Sequence, residues 1–330
     1  MRNEQLQAEL QEALAESYQI ESELPRGGMS RVFVATEVAL GRKVVIKVLS
    51  PELAATLSAE RFKREITLAA RLQHPHIVPL LAAGQAGRHL YYTMPLVAGD
   101  SLRERMARER PMPIPTIMRI LEEVAHALAY AHAEGIAHRD IKPENVMFFH
   151  DQAVVLDFGI GKALQKATTD GGDDDHALRI TKPGTSLGTP TYIAPEQAAG
   201  DPDLDHRADL YALGVVAYEM ITGHPPFAGR SPQLVMRAHL HDPPDPIGPR
   251  RPDAPTALVR IVMQCLEKRR EDRPATGEEI AQALRPASAG KRGPLARALG
   301  KVPLWVPWAI AALSLVIAIT AVVVALRSGS

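Results

Sequence analysis

Three short strings in a fixed order constrain this chain more than any other feature. Residues 138–145 spell H-R-D-I-K-P-E-N, residues 157–159 spell D-F-G after an apolar run, and residues 194–196 spell A-P-E. A fourth string, V-V-I-K, ends at Lys47 in a segment with strand character. An isolated aspartate in a loop is usually a cap or turn residue. The ordered set predicts a site that combines carboxylates, an amide and lysines.

The hydrophobic pattern changes along the chain from strand-like to helix-like. Strands are predicted at residues 18–24, 31–37, 43–49, 77–83 and 89–94, with one helix at about 59–72. Beyond Gly99 the pattern predicts helices at about 115–134, 205–222, 231–240, 255–268 and 276–284. We therefore predict an α+β fold with a small, mostly β lobe before a larger helical lobe.

The domain organisation follows from these changes. Leucines at i, i+4 spacing predict an N-terminal amphipathic helix within residues 1–17. The predicted segments after it are the small lobe (18–97), the large lobe (98–286), a basic juxtamembrane linker (287–303), a transmembrane helix (304–326) and a short tail (327–330).

The four strings together resemble those of the bacterial eukaryotic-like (Hanks-type) serine/threonine protein kinases, over roughly residues 18–286. The resemblance implies the two-lobed protein-kinase fold, with a small antiparallel β lobe carrying one helix and a larger, mainly helical lobe. It also implies transfer of the ATP γ-phosphoryl group to serine and threonine hydroxyls of proteins. The implied cofactors are ATP and Mg²⁺, with Mn²⁺ as an alternative metal.

The resemblance assigns a role to each polar residue of the strings. Asp140 would accept or orient the substrate hydroxyl proton, and Lys142 would reach the γ-phosphate. Asn145 and Asp157 supply the hard oxygen ligands that suit Mg²⁺. Lys47 would pair the α- and β-phosphates, with Glu65 of the first long helix as its ion-pair partner.

The phosphate-binding loop departs from the family pattern. Gly27 keeps the middle glycine, with Gly28 beside it, whereas Pro25 and Ser30 replace the other two. Proline fixes φ and removes an N–H. The resemblance implies that Val45, in place of the family's usual alanine, would narrow the adenine pocket. The residues assigned to ATP are Leu24, Gly27, Gly28, Ser30, Val32, Val45, Lys47, Met94, Pro95, Val97 and Met147. A membrane-anchored pseudokinase or nucleotide-dependent binding module is therefore the alternative function.

The segment between D-F-G and A-P-E is long and polar, and it carries the regulatory candidates. Arg139 resembles the arginine of kinases whose activation segment is ordered by phosphorylation, since its cation can pair with a phosphate. The candidate phosphorylation positions are Thr181, Thr185 and Ser186, and Thr189 matches the substrate-loop threonine of serine/threonine kinases. The resemblance gives structural roles to Glu196 with Arg273 and to Asp209.

Residues 304–326 contain no formally charged side chain and are long enough to cross a hydrocarbon core of about 30 Å. Trp305 and Trp308 lie at the N-terminal edge, where aromatic rings favour the headgroup layer. Basic residues concentrate before the span, which predicts a single-pass cell-membrane protein with a cytoplasmic kinase domain.

Composition restricts the remaining partners. Lys and Arg total 38 and Asp and Glu total 38, so bulk charge gives no reason to expect nucleic-acid binding. The single cysteine, Cys265, excludes an internal disulfide framework. The predicted partners are proteins with serine or threonine, the lipid bilayer, and a second copy of the chain for trans-autophosphorylation.

Overall fold

The computed structural model of the chain describes residues 2–24, 30–50, 59–158 and 190–289. The chain divides into two units, Met1–Ala287 and Ser288–Ser330. The second unit lies outside the described residues except for its first two, which end the last helix. The description below therefore concerns the first unit.

The small lobe is one antiparallel sheet of five strands. These are β1 (Tyr18–Leu24), β2 (Ser30–Glu37), β3 (Arg42–Leu49), β4 (Ala82–Ala86) and β5 (His89–Pro95). Their order in the sheet is β1-β2-β3-β5-β4. The turn between β2 and β3 passes through Gly41 at φ +62°, a left-handed conformation that glycine adopts without strain.

Each face of this sheet is covered by one helix. Helix α1 (Arg2–Leu14) packs Leu10 and Leu14 on the face that carries Phe33 and Ile46. Helix α2 (Ala59–Ala69) contributes apolar side chains to a cluster on the other face. The predicted amphipathic helix thus forms part of the small-lobe core.

The fourth strand was predicted at residues 77–83, and this prediction is wrong: β4 spans Ala82–Ala86. Ile77 instead forms an isolated parallel bridge with Val155 in the large lobe. Pro79 has no N–H to donate to a ladder, which keeps this stretch out of the sheet.

The large lobe is built around one buried helix. The helices are α3 (Leu102–Arg108), α4 (Ile114–Ala133), α5 (Pro195–Ala198), α6 (Arg207–Thr222), α7 (Pro232–His241), α8 (Thr256–Cys265) and α9 (Gly277–Ala289). Short 3₁₀ turns lie at Pro143–Asn145 and Arg270–Asp272. Almost every residue of α6 is buried, and a Cβ on Gly214 would lie 2.6 Å from Cβ of Cys265 in α8. Glycine there permits the close approach of the two helices.

A two-stranded sheet of β6 (Val146–Phe149) and β7 (Gln152–Val155) lies beside α4, between the H-R-D-I-K-P-E-N and D-F-G strings in the chain. The predicted two-lobed α+β architecture is confirmed, and most predicted helices begin and end within a few residues of the observed ones.

Within the described ranges, no helix is both long and apolar enough to cross a membrane. The predicted span (304–326), the tail (327–330) and the linker from residue 290 onward lie outside those ranges.

A buried histidine of the large lobe gives a prediction about stability. His239 is 1 % exposed, and burial, aided by the nearby Lys268 ammonium, lowers its pKa from 6.5 to about 4. The unfolded chain then binds the proton more tightly, so folding stability is lost as pH falls from about 6.5 toward 4. We expect the wild type to lose about 2 kcal/mol more than His239→Gln between pH 7 and pH 5.

The measurement is denaturant unfolding of both chains at each pH, so that acid effects on other groups cancel in the difference. Equal pH dependence in the two chains would show that His239 is solvated or protonated in the fold. Tyr211, whose hydroxyl donates to Nδ1 of His239 at 2.9 Å, is retained in both chains.

Candidate active site

The catalytic string forms a hydrogen-bonded loop between α4 and β6. Asp140 Oδ2 accepts from Nζ of Lys142 at 2.6 Å and from Nδ2 of Asn145 at 3.0 Å. Nδ2 of Asn145 also donates to the carbonyl of Asp140 at 2.8 Å. Pro143 starts the 3₁₀ turn that returns Asn145 to Asp140. The loop thus holds a half-exposed carboxylate between an ammonium and an amide.

The backbone of this loop is held from below by Asp209 in the first turn of α6. Its Oδ2 accepts from the backbone N–H of His138 at 2.7 Å, and its Oδ1 accepts from that of Arg139 at 2.6 Å. His132 Nε2 donates to the same carboxylate at 2.8 Å. Burial opposes ionisation, yet these donors hold the pKa of Asp209 below its ordinary value. The buried carboxylate therefore fixes the position of the loop backbone relative to α6.

Asp157 lies across from the loop and contacts the small lobe. Its Oδ2 accepts from Nζ of Lys47 at 2.6 Å, and its Oδ1 accepts from the hydroxyl of Tyr92 at 2.8 Å. Burial raises the pKa of this carboxyl, but the Lys47 charge and both hydrogen bonds outweigh it and leave a net lowering. Asp157 adopts a left-handed φ of +66°, a conformation that non-glycine residues keep only where surrounding contacts enforce it.

Phe158 supplies one of those contacts. It is 3 % exposed, and its ring meets that of His138 edge-on at a centroid distance of 4.8 Å. Nε2 of His138 donates to the carbonyl of Leu156 at 2.6 Å. The two strings H-R-D and D-F-G are thereby packed against each other in the core of the large lobe.

The predicted ion pair between Lys47 and Glu65 is not formed in the described structure. Lys47 instead pairs with Asp157, a buried carboxylate whose attraction is little screened by water. Glu65 is only partly buried, and its charge acts on Arg139. Burial lowers the pKa of Arg139, and the opposing charges of Asp209 and Glu65 offset only part of this lowering. The structure therefore pairs Lys47 with Asp157, while the charge of Glu65 acts on Arg139.

The apolar residues assigned to the adenine pocket lie in one cluster between the lobes. Its buried members include Val32, Val45, Met94 and Met147, with Leu24 and Val97 packed against them. Pro95 ends β5 opposite Val44, and Ser30 begins β2 opposite Leu49. Gly27 and Gly28 lie outside the described residues, as do Thr181, Thr185, Ser186 and Thr189.

Glu196 and Arg273 meet in the large lobe as a buried, bidentate ion pair. Both guanidinium Nη atoms donate to the carboxylate at 2.7 Å. Side-chain exposure is 0 % for Arg273 and 8 % for Glu196. This pair holds the A-P-E helix α5 against the segment that follows α8.

The donor set of the site fits a magnesium ion. Asn145 commits its amide nitrogen to Asp140, so its amide oxygen is the atom that could ligate a metal. The backbone carbonyl of Asn145 accepts from Leu156 N–H at 2.9 Å, so Asn145 and Asp157 lie in adjoining segments. No cluster of three or more Cys, His, Asp or Glu suited to a metal occurs in the part of the chain described. Mg²⁺ commonly takes one or two protein oxygens and completes its shell with phosphates and water.

Sequence reasoning missed two features of this region. Tyr92 has no motif of its own, although its strand position two residues before Met94 indicates the same face of β5. The second feature is a cluster beside the catalytic loop, in which Arg103 donates to Glu144 at 2.8 Å and to Glu219 at 2.6 Å, and Tyr192 joins both Arg103 and Glu219. Burial raises the pKa of Tyr192 above its usual range. Glu144 belongs to the H-R-D-I-K-P-E-N string, and this was the sequence signal that could have indicated the cluster.

The two lobes, the loop centred on Asp140 and the facing Asp157 define a protein-kinase fold. Residues 18–285 match the protein kinase domain family, and the chain belongs to that family.

The relatives in this family include bacterial proteins. The chain is 40% identical over 288 residues to serine/threonine-protein kinase pkn3 of Myxococcus xanthus, covering 84% of this chain and 51% of that protein. It is 38% identical over 273 residues to serine/threonine-protein kinase PknB of Mycobacterium leprae, covering 81% of this chain and 42% of that protein. The chain thus spans about half, or less, of the length of these relatives.

Proposed function

We propose that the chain is a serine/threonine protein kinase that transfers the γ-phosphoryl group of ATP to protein hydroxyls. The observation that carries this proposal is the hydrogen-bonded set of Asp140, Lys142 and Asn145 opposite the Lys47–Asp157 pair. Phosphoryl transfer needs an oriented hydroxyl and neutralised phosphate charge, and this set supplies groups for both. The names of the bacterial relatives support the same activity.

Each residue then has a defined task. Asp140 orients the substrate hydroxyl and accepts its proton at Oδ2, while Lys142 neutralises charge on the transferred group. Lys47 binds the α- and β-phosphates. Mg²⁺, held by Asn145 and Asp157, supplies charge neutralisation when it is bound with ATP. The family pattern implies Glu65 as the ion-pair partner of Lys47, which contacts Asp157 in the described structure.

Membrane anchoring is the second part of the proposed function. The uncharged run 304–326 anchors the chain in the cell membrane as a single pass, with the kinase domain in the cytoplasm. Lys291 and Arg292 before the run favour contact with anionic lipid headgroups. Anchoring raises the local concentration of copies and so favours trans-autophosphorylation in a homodimer.

Activation-segment phosphorylation is the proposed switch, with Thr181, Thr185 and Ser186 as its candidate positions. Arg139 is the cation that pairs with the added phosphate. Its partial burial and its position directly before Asp140 support this role. The alternative function, a pseudokinase or nucleotide-dependent binding module, is favoured by one specific observation. Pro25 and Ser30 stand where the family pattern has glycine, which weakens the cover over the phosphates.

The test is phosphate incorporation by the full chain in detergent micelles. We expect incubation with ATP and Mg²⁺ to add phosphates, detected by intact mass and mapped by peptide mass spectrometry to the segment 159–189. Lys47→Met and a Mg²⁺ chelator should each abolish the mass increase, because both remove phosphate neutralisation. Arg250→Ala, which alters an exposed ion pair, is the matched control and should leave incorporation unchanged.

Absence of phosphate from the wild type at saturating ATP, together with retained nucleotide binding, would contradict the kinase and favour the binding module. Incorporation that persists in Lys47→Met would assign the signal to a contaminating kinase.

A further inference from the structure

A tyrosine hydroxyl lies at the candidate metal site, and no assigned role uses it. The side chain of Tyr92 is fully buried, and its hydroxyl donates to Oδ1 of Asp157 at 2.8 Å. The aromatic ring also lies under the Lys47 ammonium, with Nζ 5.9 Å from the ring centroid. Tyr92 therefore contacts both residues of the ion pair that joins the lobes.

The register of the sheet explains this position. Lys47 on β3 lies directly opposite Tyr92 on β5 and directly opposite Val32 on β2. Directly opposed residues of an antiparallel sheet project to the same face. Val32, Lys47 and Tyr92 thus form one row across the inner face of the small lobe. The polar groups of this row are the Lys47 ammonium and the Tyr92 hydroxyl.

The two oxygens of Asp157 consequently have partners of different kinds. Oδ2 is bonded to an ammonium on a long, flexible stem that remains 18 % exposed. Oδ1 is bonded to a phenol whose rigid ring is packed among Val45, Phe62 and Met94 in the inner cluster. A rotation of the carboxylate must break the bond to the packed phenol, whereas the lysine can follow it.

We propose that Tyr92 is a positioning residue, whose hydroxyl holds Oδ1 of Asp157 and so sets the orientation in which that carboxylate binds Mg²⁺. The inference rests on the proposed kinase function, since it assigns Asp157 to the metal. Groups that hydrogen-bond a ligating carboxylate typically change metal affinity strongly when removed. A phenol and an ammonium on separate oxygens let Lys47 leave for the phosphates while Asp157 keeps a fixed partner.

A purely structural role predicts a different result. A buried hydroxyl needs a hydrogen-bond partner wherever it lies, so its loss lowers stability in any case. Stability loss alone leaves the metal dependence of nucleotide binding unchanged. The Mg²⁺ dependence therefore separates a positioning role from a packing role.

The experiment compares Tyr92→Phe with wild type in the full chain, in detergent micelles. Binding of a non-hydrolysable ATP analogue is titrated by calorimetry across a series of Mg²⁺ concentrations and in excess chelator. We expect the Mg²⁺ concentration for half-maximal binding to rise about 10-fold in Tyr92→Phe. Affinity for the analogue in chelator should not change. Tyr91→Phe, the same substitution one residue earlier on the opposite face of β5, should match wild type throughout.

An unchanged Mg²⁺ dependence in Tyr92→Phe would overturn the inference while leaving the kinase proposal intact. Failure of wild type to bind the analogue in a Mg²⁺-dependent manner would overturn both proposals. The two failures are distinguishable, because this one is seen in wild type itself. A second measurement needs no nucleotide: a double-mutant cycle of Tyr92→Phe and Asp157→Ala on unfolding free energy. We expect the combined loss to be smaller than the sum of the single losses, and strict additivity would also overturn the inference.

Discussion

Asp140→Asn is expected to lower the rate of phosphoryl transfer about 10³-fold while leaving nucleotide binding close to wild type. Asparagine keeps the size of the side chain and can still accept from Lys142 and Asn145, which hold Asp140 at 2.6 and 3.0 Å. It cannot accept the proton of the substrate hydroxyl. The loss should therefore fall on the chemical step and not on the fold of the loop.

The measurement is single-turnover transfer from radiolabelled ATP to a serine/threonine protein substrate, with analogue binding followed in parallel. Asp245→Asn is a matched control because Asp245 is 65 % exposed and pairs only with Arg250 among the described residues. A fall in rate equal for both variants would show that Asp140 has no role in proton transfer. If the transfer rate of Asp140→Asn falls together with nucleotide binding, Asp140 serves to maintain the structure of the loop.

The sequence was sufficient to predict that the side chains of the H-R-D-I-K-P-E-N string lie together, because neighbouring residues form the loop. Asp140, Lys142 and Asn145 lie within a few positions, and Pro143 sets the turn that brings them together. Their mutual contacts follow from the string itself. Local spacing of this kind is visible in a single sequence, and the same holds for the helices of the large lobe.

Contacts between the lobes could not be predicted from spacing alone. Lys47 and Asp157 are far apart in sequence, and two carboxylates, Asp157 and Glu65, compete for one ammonium. The outcome depends on burial and on the placement of α2, neither of which a motif contains. Tyr92 was missed for a related reason, since an aromatic residue in an apolar strand usually indicates core packing.

The two lobes differ in what holds their functional residues. In the large lobe, the carboxylate of Asp209 on α6 accepts from the backbone N–H groups of His138 and Arg139 and so holds the loop that carries Asp140. In the small lobe, Lys47 contacts Asp157, and its predicted pair with Glu65 is not formed in the described structure. The loop that carries Asp140 is thus held through its backbone, whereas Lys47 is held through a side-chain contact.

Arg273→Ala is expected to lower the free energy of unfolding by about 3–5 kcal/mol, the largest stability effect we expect from a single substitution. All five N–H donors of this guanidinium have acceptors: the carboxylate of Glu196 takes two, and the carbonyls of Arg207, Glu267 and Lys268 take the others. Removal of the side chain leaves the Glu196 carboxylate buried without its cation. Breaking one partner of a buried pair costs far more than the pair contributes relative to an apolar substitute.

Denaturant unfolding of the full chain measures this effect, with Arg250→Ala as the control on an exposed pair, where about 0–1 kcal/mol is expected. Arg273→Lys should recover little, because an ammonium has three donors in place of a planar fork of five. Combining Arg273→Ala with Glu196→Gln should recover part of the loss, since the unpaired charge is then removed. If Arg273→Ala costs no more than Arg250→Ala, the pair does not hold α5 in the fold. The A-P-E segment would then be anchored by its other contacts, among them the packing of Ala194 and Ala198 and the hydrogen bond from Gln197 to the carbonyl of Arg139.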